Sequence, residues 1–199
     1  MSNQSTYATM SEREQYLYDL QGFLVVRGFL SDEEVSQLNA SLDANADHRG
    51  EYGSPNLYSG DWSNRPMEGQ HAPFRHYAGM LTWDMPWCQP FRDLLAHQKL
   101  IPYLNTMFGR GWKLDHGVDV LTSQAGCEGL KLHGSGNVSF NGSRFYTYQN
   151  GDMRNGLIVC QYYLTDADPG DGGLCVIPGS HKANFDCPDP ILSYEEDIE

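Results

Sequence analysis

The feature that most constrains the fold is a change of period at Gly109. Before it, apolar residues recur at helical spacing; after it, short apolar runs alternate with turn residues. The runs Trp112 to Thr122, Leu130 to His133, Ser143 to Tyr148, Leu157 to Thr165 and Leu174 to Ile177 are divided by Gly, Asn, Asp or Pro, the punctuation of closely spaced strands. Helices first and strands afterwards predict an α+β domain in which N-terminal helices buttress a β-sandwich or barrel. At 199 residues the chain has room for one domain and one core.

The helical half, residues 1–108, is delimited by its caps. Thr9 and Ser11 are each followed three positions later by a glutamate, Glu12 or Glu14, so a helix opens there and ends near Gly22. Phe23 to Val26 reads as a short buried strand, and Ser31 to Glu34 as a second capping box, opening a helix with Val35, Leu38 and Leu42 on one face. Residues 48–75 mix Gly, Pro, Asn and Ser with aromatics in no sustained period and predict a long loop. Trp87 to His97 and Lys99 to Phe108 carry helical spacing, with Phe91, Leu94 and Leu95 on one and Ile101, Leu104 and Phe108 on the other. Residues 109–199 form the β-rich portion.

Thirteen basic against twenty-six acidic residues give a net charge of −13, a surface that repels nucleic-acid phosphates and anionic membranes. The expected partner is a small molecule, with no nucleic acid and no membrane; oligomeric state is not fixed by the sequence. The five cysteines are odd in number and scattered, without a Cys-x-x-Cys pair, which fits a reducing compartment. With no secretory leader pattern and no apolar run of bilayer-spanning length, the expectation is a soluble cytoplasmic protein.

Seven histidines are the candidate metal ligands. His48, His71 and His76 lie in or beside the polar loop, and His97 sits near a helix C-terminus, where its charge complements the dipole. His116 lacks a carboxylate two residues on, because Val118 is there. His133 ends an apolar strand and precedes the glycine-rich turn Gly134 to Gly136, which lets other groups approach the imidazole. On spacing alone it reads as a strand-end histidine bonded to a neighbouring carbonyl. Asp166, Asp168 and Asp171 lack the closing acid of a calcium loop and surround Pro169, so they read as a solvated turn.

The most specific stretch is Leu157 to Lys182: a buried strand, an acidic turn, the Gly172-Gly173 pair, a short apolar strand, then Pro-Gly-Ser-His-Lys. It resembles the core signature of the phytanoyl-CoA dioxygenase family, and Gln21 to Glu34 is similar to that family's opening segment. The resemblance implies a partial double-stranded β-helix, a jelly-roll-like, cupin-type barrel. It also implies an oxygenase using Fe(II) and 2-oxoglutarate, in which the cosubstrate is decarboxylated to succinate while an aliphatic carbon of a small organic substrate is hydroxylated. By the family's register His133 matches the first metal ligand. Where the family's pattern has an aspartate two residues on, completing a two-His-one-carboxylate site, this chain has Ser135.

Tyr162 matches a position facing the cosubstrate, although burial alone makes it a core aromatic. His181 matches a loop histidine near the active site rather than the distal ligand; it either contacts cosubstrate or substrate or bonds backbone at a turn. The distal histidine and the cosubstrate-binding arginine would lie beyond Glu199, so the resemblance makes residues 1–199 one incomplete oxygenase domain, inactive alone. Ser135 leaves two alternatives open: a halogenase-like variant lacking the metal carboxylate, or a catalytically silent binding module on the same fold.

Overall fold

A computed structural model describes residues 8–46, 75–109, 111–115, 118–122, 132–133, 144–168 and 170–192. Among them the order is α1 (Glu12–Gln21), α2 (Asp32–Ala44), β1 (Arg75–Ala78), a 3-10 turn (Met80–Thr82), α3 (Gln89–Leu94), α4 (Ile101–Phe108), β2 (Asp119–Thr122), β3 (Tyr146–Gln149), β4 (Asp152–Asn155), a second 3-10 turn (Ser180–Lys182) and α5 (Asp189–Leu192). Helix and antiparallel sheet are both present, so the class is α+β. None of the described helices is long and apolar enough to cross a membrane.

Both capping boxes form. Ser11 Oγ accepts from the Glu14 amide while the Glu14 carboxylate accepts from the Ser11 amide at 2.9 Å, and Ser31 and Glu34 repeat the arrangement at the start of α2. Each box satisfies two main-chain donors that a helix start would otherwise leave to water. Gly22 closes α1 in the left-handed region, φ +82°, its amide donating to Tyr18 O, a geometry open to glycine at little cost.

Two clusters form the interior. Leu38 and Leu42 of α2 pack with Tyr77 of β1, Met80, Trp83, Cys88, and Phe91 and Leu94 of α3. The faces expected from the helical spacing are those buried, each large side chain contributing on the order of 1.5–3 kcal/mol. A second cluster joins Met10 and Tyr18 to Met107 of α4 and Met153 of β4, with Leu24, Tyr103, Phe108, Tyr146 and Ile158 around it.

Among the described residues the strands are shorter and fewer than expected. β1 pairs antiparallel with β2, Arg75 opposite Thr122, and β3 pairs antiparallel with β4, Tyr146 opposite Asn155. Among the described residues these are two separate two-stranded sheets. The loop expected over 48–75 falls outside the described residues except for Arg75, which opens β1. The buried strand expected at Phe23 to Val26 is not one: Val25 and Val26 are exposed and the segment has no ladder partner among the described residues. Leu157 to Thr165 and Leu174 to Ile177 likewise lie in no described strand. An apolar run with strand composition becomes a strand only when a neighbour supplies its hydrogen bonds.

Residues 161–164 nevertheless alternate, Gln161 and Tyr163 exposed and Tyr162 and Leu164 half-buried. Ile158 packs on the second cluster and Tyr162 and Leu164 on the first, while Val159 and Tyr163 face outward. Asn39 Nδ2 holds the segment to α2 by donating to Leu164 O at 2.9 Å. This segment therefore connects the two halves of the core.

Candidate functional site

The signature stretch enters at the joined clusters and leaves over the end of α1. Its acidic turn closes on itself, the Asp168 amide donating to the Asp171 carboxylate and the Asp171 amide to Asp168 O, both at 3.0 Å. The three aspartates are exposed, as a solvated turn requires. Gly170, Gly172 and Gly173 all have positive φ, and the Leu174 amide then donates to Tyr163 Oη at 3.1 Å, folding the stretch back on itself.

Tyr162 points inward. Its ring lies 5.5 Å from the Phe29 ring, and its hydroxyl is buried with no hydrogen-bond partner among the described residues. Burial disfavours the phenolate and pushes the hydroxyl's pKa well up. A buried donor without an acceptor costs on the order of 1–3 kcal/mol and stands ready for a polar ligand.

His181 lies against α1 and β3. Its Nε2 donates to Asp19 O, 3.1 Å away, and its ring meets Tyr146 edge-on at 4.7 Å and Tyr18 at 6.0 Å. A carbonyl can only accept, so Nε2 carries the proton and Nδ1 is the bare nitrogen. That Nδ1 is buried without a partner among the described residues. Burial lowers the imidazole pKa and outweighs the Asp19 contacts, which raise it. Next to it Lys182 Nζ pairs with the Asp19 carboxylate at 3.0 Å and sits 5.4 Å from the Tyr146 ring centroid. Tyr146 Oη also donates to Asp19, and these contacts hold that carboxyl below its usual range, the tyrosine bond being the largest influence.

His133 is exposed, while Ser135 lies outside the described residues. The structure does not bring His133, Tyr162 and His181 into one described constellation: Tyr162 contacts Phe29 and the first cluster, and His181 contacts α1 and β3. Among the described residues no group of three or more His, Cys, Asp or Glu side chains could hold a metal ion.

The remaining histidines divide. His48, His71 and His116 lie outside the described residues. His97 is more than a charge at a helix end: Nδ1 accepts from the Lys99 amide at 3.2 Å and Nε2 donates to Glu34 Oε1 at 2.9 Å. Glu34 thereby joins its own cap to the junction between α3 and α4. Its carboxyl is lowered to about 2, chiefly by the Ser31 amide and hydroxyl and then by His97.

Sequence reasoning missed Asp19 and Tyr146, which organise the contacts around His181. Neither stands in a motif, and only their spatial meeting marks them. It also missed β4, although Asn150-Gly151 before it is a strong hairpin signal; both residues take positive φ, 55° and 87°.

A family model described as phytanoyl-CoA dioxygenase (PhyH) matches residues 18–190. That span includes both the opening segment and the whole signature stretch. No curated protein and no solved structure gives a significant match.

Proposed function

Because this chain belongs to the phytanoyl-CoA dioxygenase family, we propose that it is a non-haem Fe(II) and 2-oxoglutarate dependent oxygenase domain that hydroxylates a small organic substrate. The observation that carries the reading is the family match across residues 18–190, which contains the uninterrupted signature from Leu157 to Lys182. In this reading His133 is a metal ligand on a partial double-stranded β-helix. Iron and cosubstrate, when bound, supply the oxygen chemistry. Tyr162 faces the cosubstrate, a role supported by its buried and unpartnered hydroxyl. His181 serves the site by holding the signature loop, since its one described hydrogen bond goes to the main chain of α1.

The substrate is not thereby phytanoyl-CoA, because one fold hosts many substrates and a net charge of −13 offers no evident dock for a CoA phosphate. Ser135 favours a second reading. Serine is a poor iron ligand, so at the carboxylate position it vacates a coordination place, as in a halogenase-like variant, or marks a silent binding module.

Anaerobic titration of Fe(II), with 2-oxoglutarate present, into wild type, His133→Ala and Ser135→Asp is the test. Support consists of Fe(II) binding that His133→Ala weakens more than about tenfold, or about 1.4 kcal/mol, and that Ser135→Asp strengthens. Affinity indifferent to His133 overturns the ligand assignment. Succinate release with and without chloride then separates hydroxylase, halogenase and silent module.

A further inference from the structure

The C-terminal end of α1 has no basic residue in its own last turn, yet its exposed carbonyls and Asp19 need positive or donor groups. The signature loop provides them from far along the chain. The Gly179 amide donates to Gln21 O at 2.9 Å, His181 Nε2 to Asp19 O at 3.1 Å, and Lys182 pairs with the Asp19 carboxylate at 3.0 Å. The fit is close, because a Cβ at Gly22 would lie 2.7 Å from His181 Cγ. The imidazole therefore sits directly against the helix end, its bare Nδ1 buried there.

We propose that His181 is a pH-responsive latch: neutral, it holds the Pro-Gly-Ser-His-Lys loop on the end of α1, and protonated, it releases it. Protonation places a hydrogen on Nδ1, where no acceptor is present among the described residues, and adds a second cation beside Lys182. A buried unpaired donor and a buried charge are both unfavourable. Undocking exposes the ring and lets water accept that hydrogen.

The groups facing His181 make it the titrating one. From α1 these are Tyr18 and Asp19, from β3 Tyr146, and from its own segment Lys182. Burial pushes both tyrosines up, away from ionisation, and Asp19 is held down as a carboxylate by its tyrosine and lysine contacts. Between pH about 5 and 7 only the imidazole among these changes charge. The docked imidazole pKa is lowered, so the docked loop binds fewer protons than the released one. Docking is then complete above the free imidazole value of about 6.5, and weakens by up to about tenfold per pH unit as pH falls from there to the docked value.

The test uses the 199-residue chain with ¹⁵N-labelled histidine and backbone, followed by NMR from pH 7.5 to 5, without metal or cosubstrate. The expected result is a neutral Nε2–H tautomer at pH 7.5, titration below the ordinary imidazole value, and loss of Gly179 amide protection in step with it, after correction for intrinsic exchange. His181→Gln retains an amide donor for Asp19 O but does not titrate, so it should hold Gly179 protected throughout the range. An Nδ1–H tautomer, titration at or above the ordinary value, or a protection step that persists in His181→Gln overturns the latch. If the variant does not fold, the wild-type tautomer and titration decide alone.

Discussion

Gly22 and His181 divide one small volume between them: the glycine has no side chain where the imidazole stands, and any Cβ there would collide with it. Gly22→Ala should therefore meet two costs, about 1–2 kcal/mol for a side chain at φ +82° and a further 1–3 for overpacking. Gly28→Ala is the control, since its φ is +62° but nothing lies within 4 Å. Urea unfolding should show the larger loss at Gly22. Equal losses would mean that the imidazole simply moves aside.

Asn155 joins three parts of the chain at one buried point. Its Oδ1 accepts from Tyr18 Oη and its Nδ2 donates to Met107 O, both at 2.9 Å. Asn155→Ala leaves both partners unsatisfied and should cost about 2–4 kcal/mol, whereas Tyr18→Phe should cost about 1. A double-mutant cycle should then give less than the sum. Strict additivity would refute the shared bond.

The cap bonds from Ser31 to Glu34, and after them the link to His97, predict an acid-side slope. The folded carboxyl is depressed from 4.5 to about 2, so its stabilising contribution is complete above pH about 4.5 and is lost as pH falls toward 2. Glu34→Gln should flatten the stability profile in that window alone. A variant whose profile parallels wild type down to pH 2 would show that this carboxylate has no such coupling.

Tyr162→Phe separates stability from the proposed cosubstrate role. Removing an unpartnered buried hydroxyl should raise the unfolding free energy of the ligand-free chain by up to about 1–2 kcal/mol. The same change should weaken 2-oxoglutarate binding if that hydroxyl serves the cosubstrate. Calorimetry on the pair measures both. Lower stability with unchanged binding would make Tyr162 a core aromatic and nothing more.

What the sequence disclosed were the interactions that are local. Ser11 with Glu14 and Ser31 with Glu34 are three residues apart, so composition and spacing contain the whole cap. The buried faces of α2 and α3 follow from helical period in the same way, whereas in α4 Met107 is buried beside Leu104 and lies off the expected face. β4 went unread because Asp-Met-Arg-Asn has none of the β-branched or aromatic residues that mark strands, and its pairing comes from the Asn150-Gly151 turn. Phe23 to Val26 failed in the opposite sense, having strand composition without a ladder. At the site, His181 could be located by family register, but its attachment to Asp19 spans 162 positions and no local pattern contains it. The metal assignment of His133 came from resemblance alone.

The trans-capping of α1 also sets an order of events in folding. Ten residues are fewer than the roughly 12–15 that an isolated helix needs in water. The partners that complete α1, Tyr146, Asn155, Gly179, His181 and Lys182, are all synthesised much later. The first of the described helices in chain order is thus among the last to be secured. Such long-range closure slows folding, and a chain interrupted before Lys182 would carry α1 as a frayed, uncapped segment.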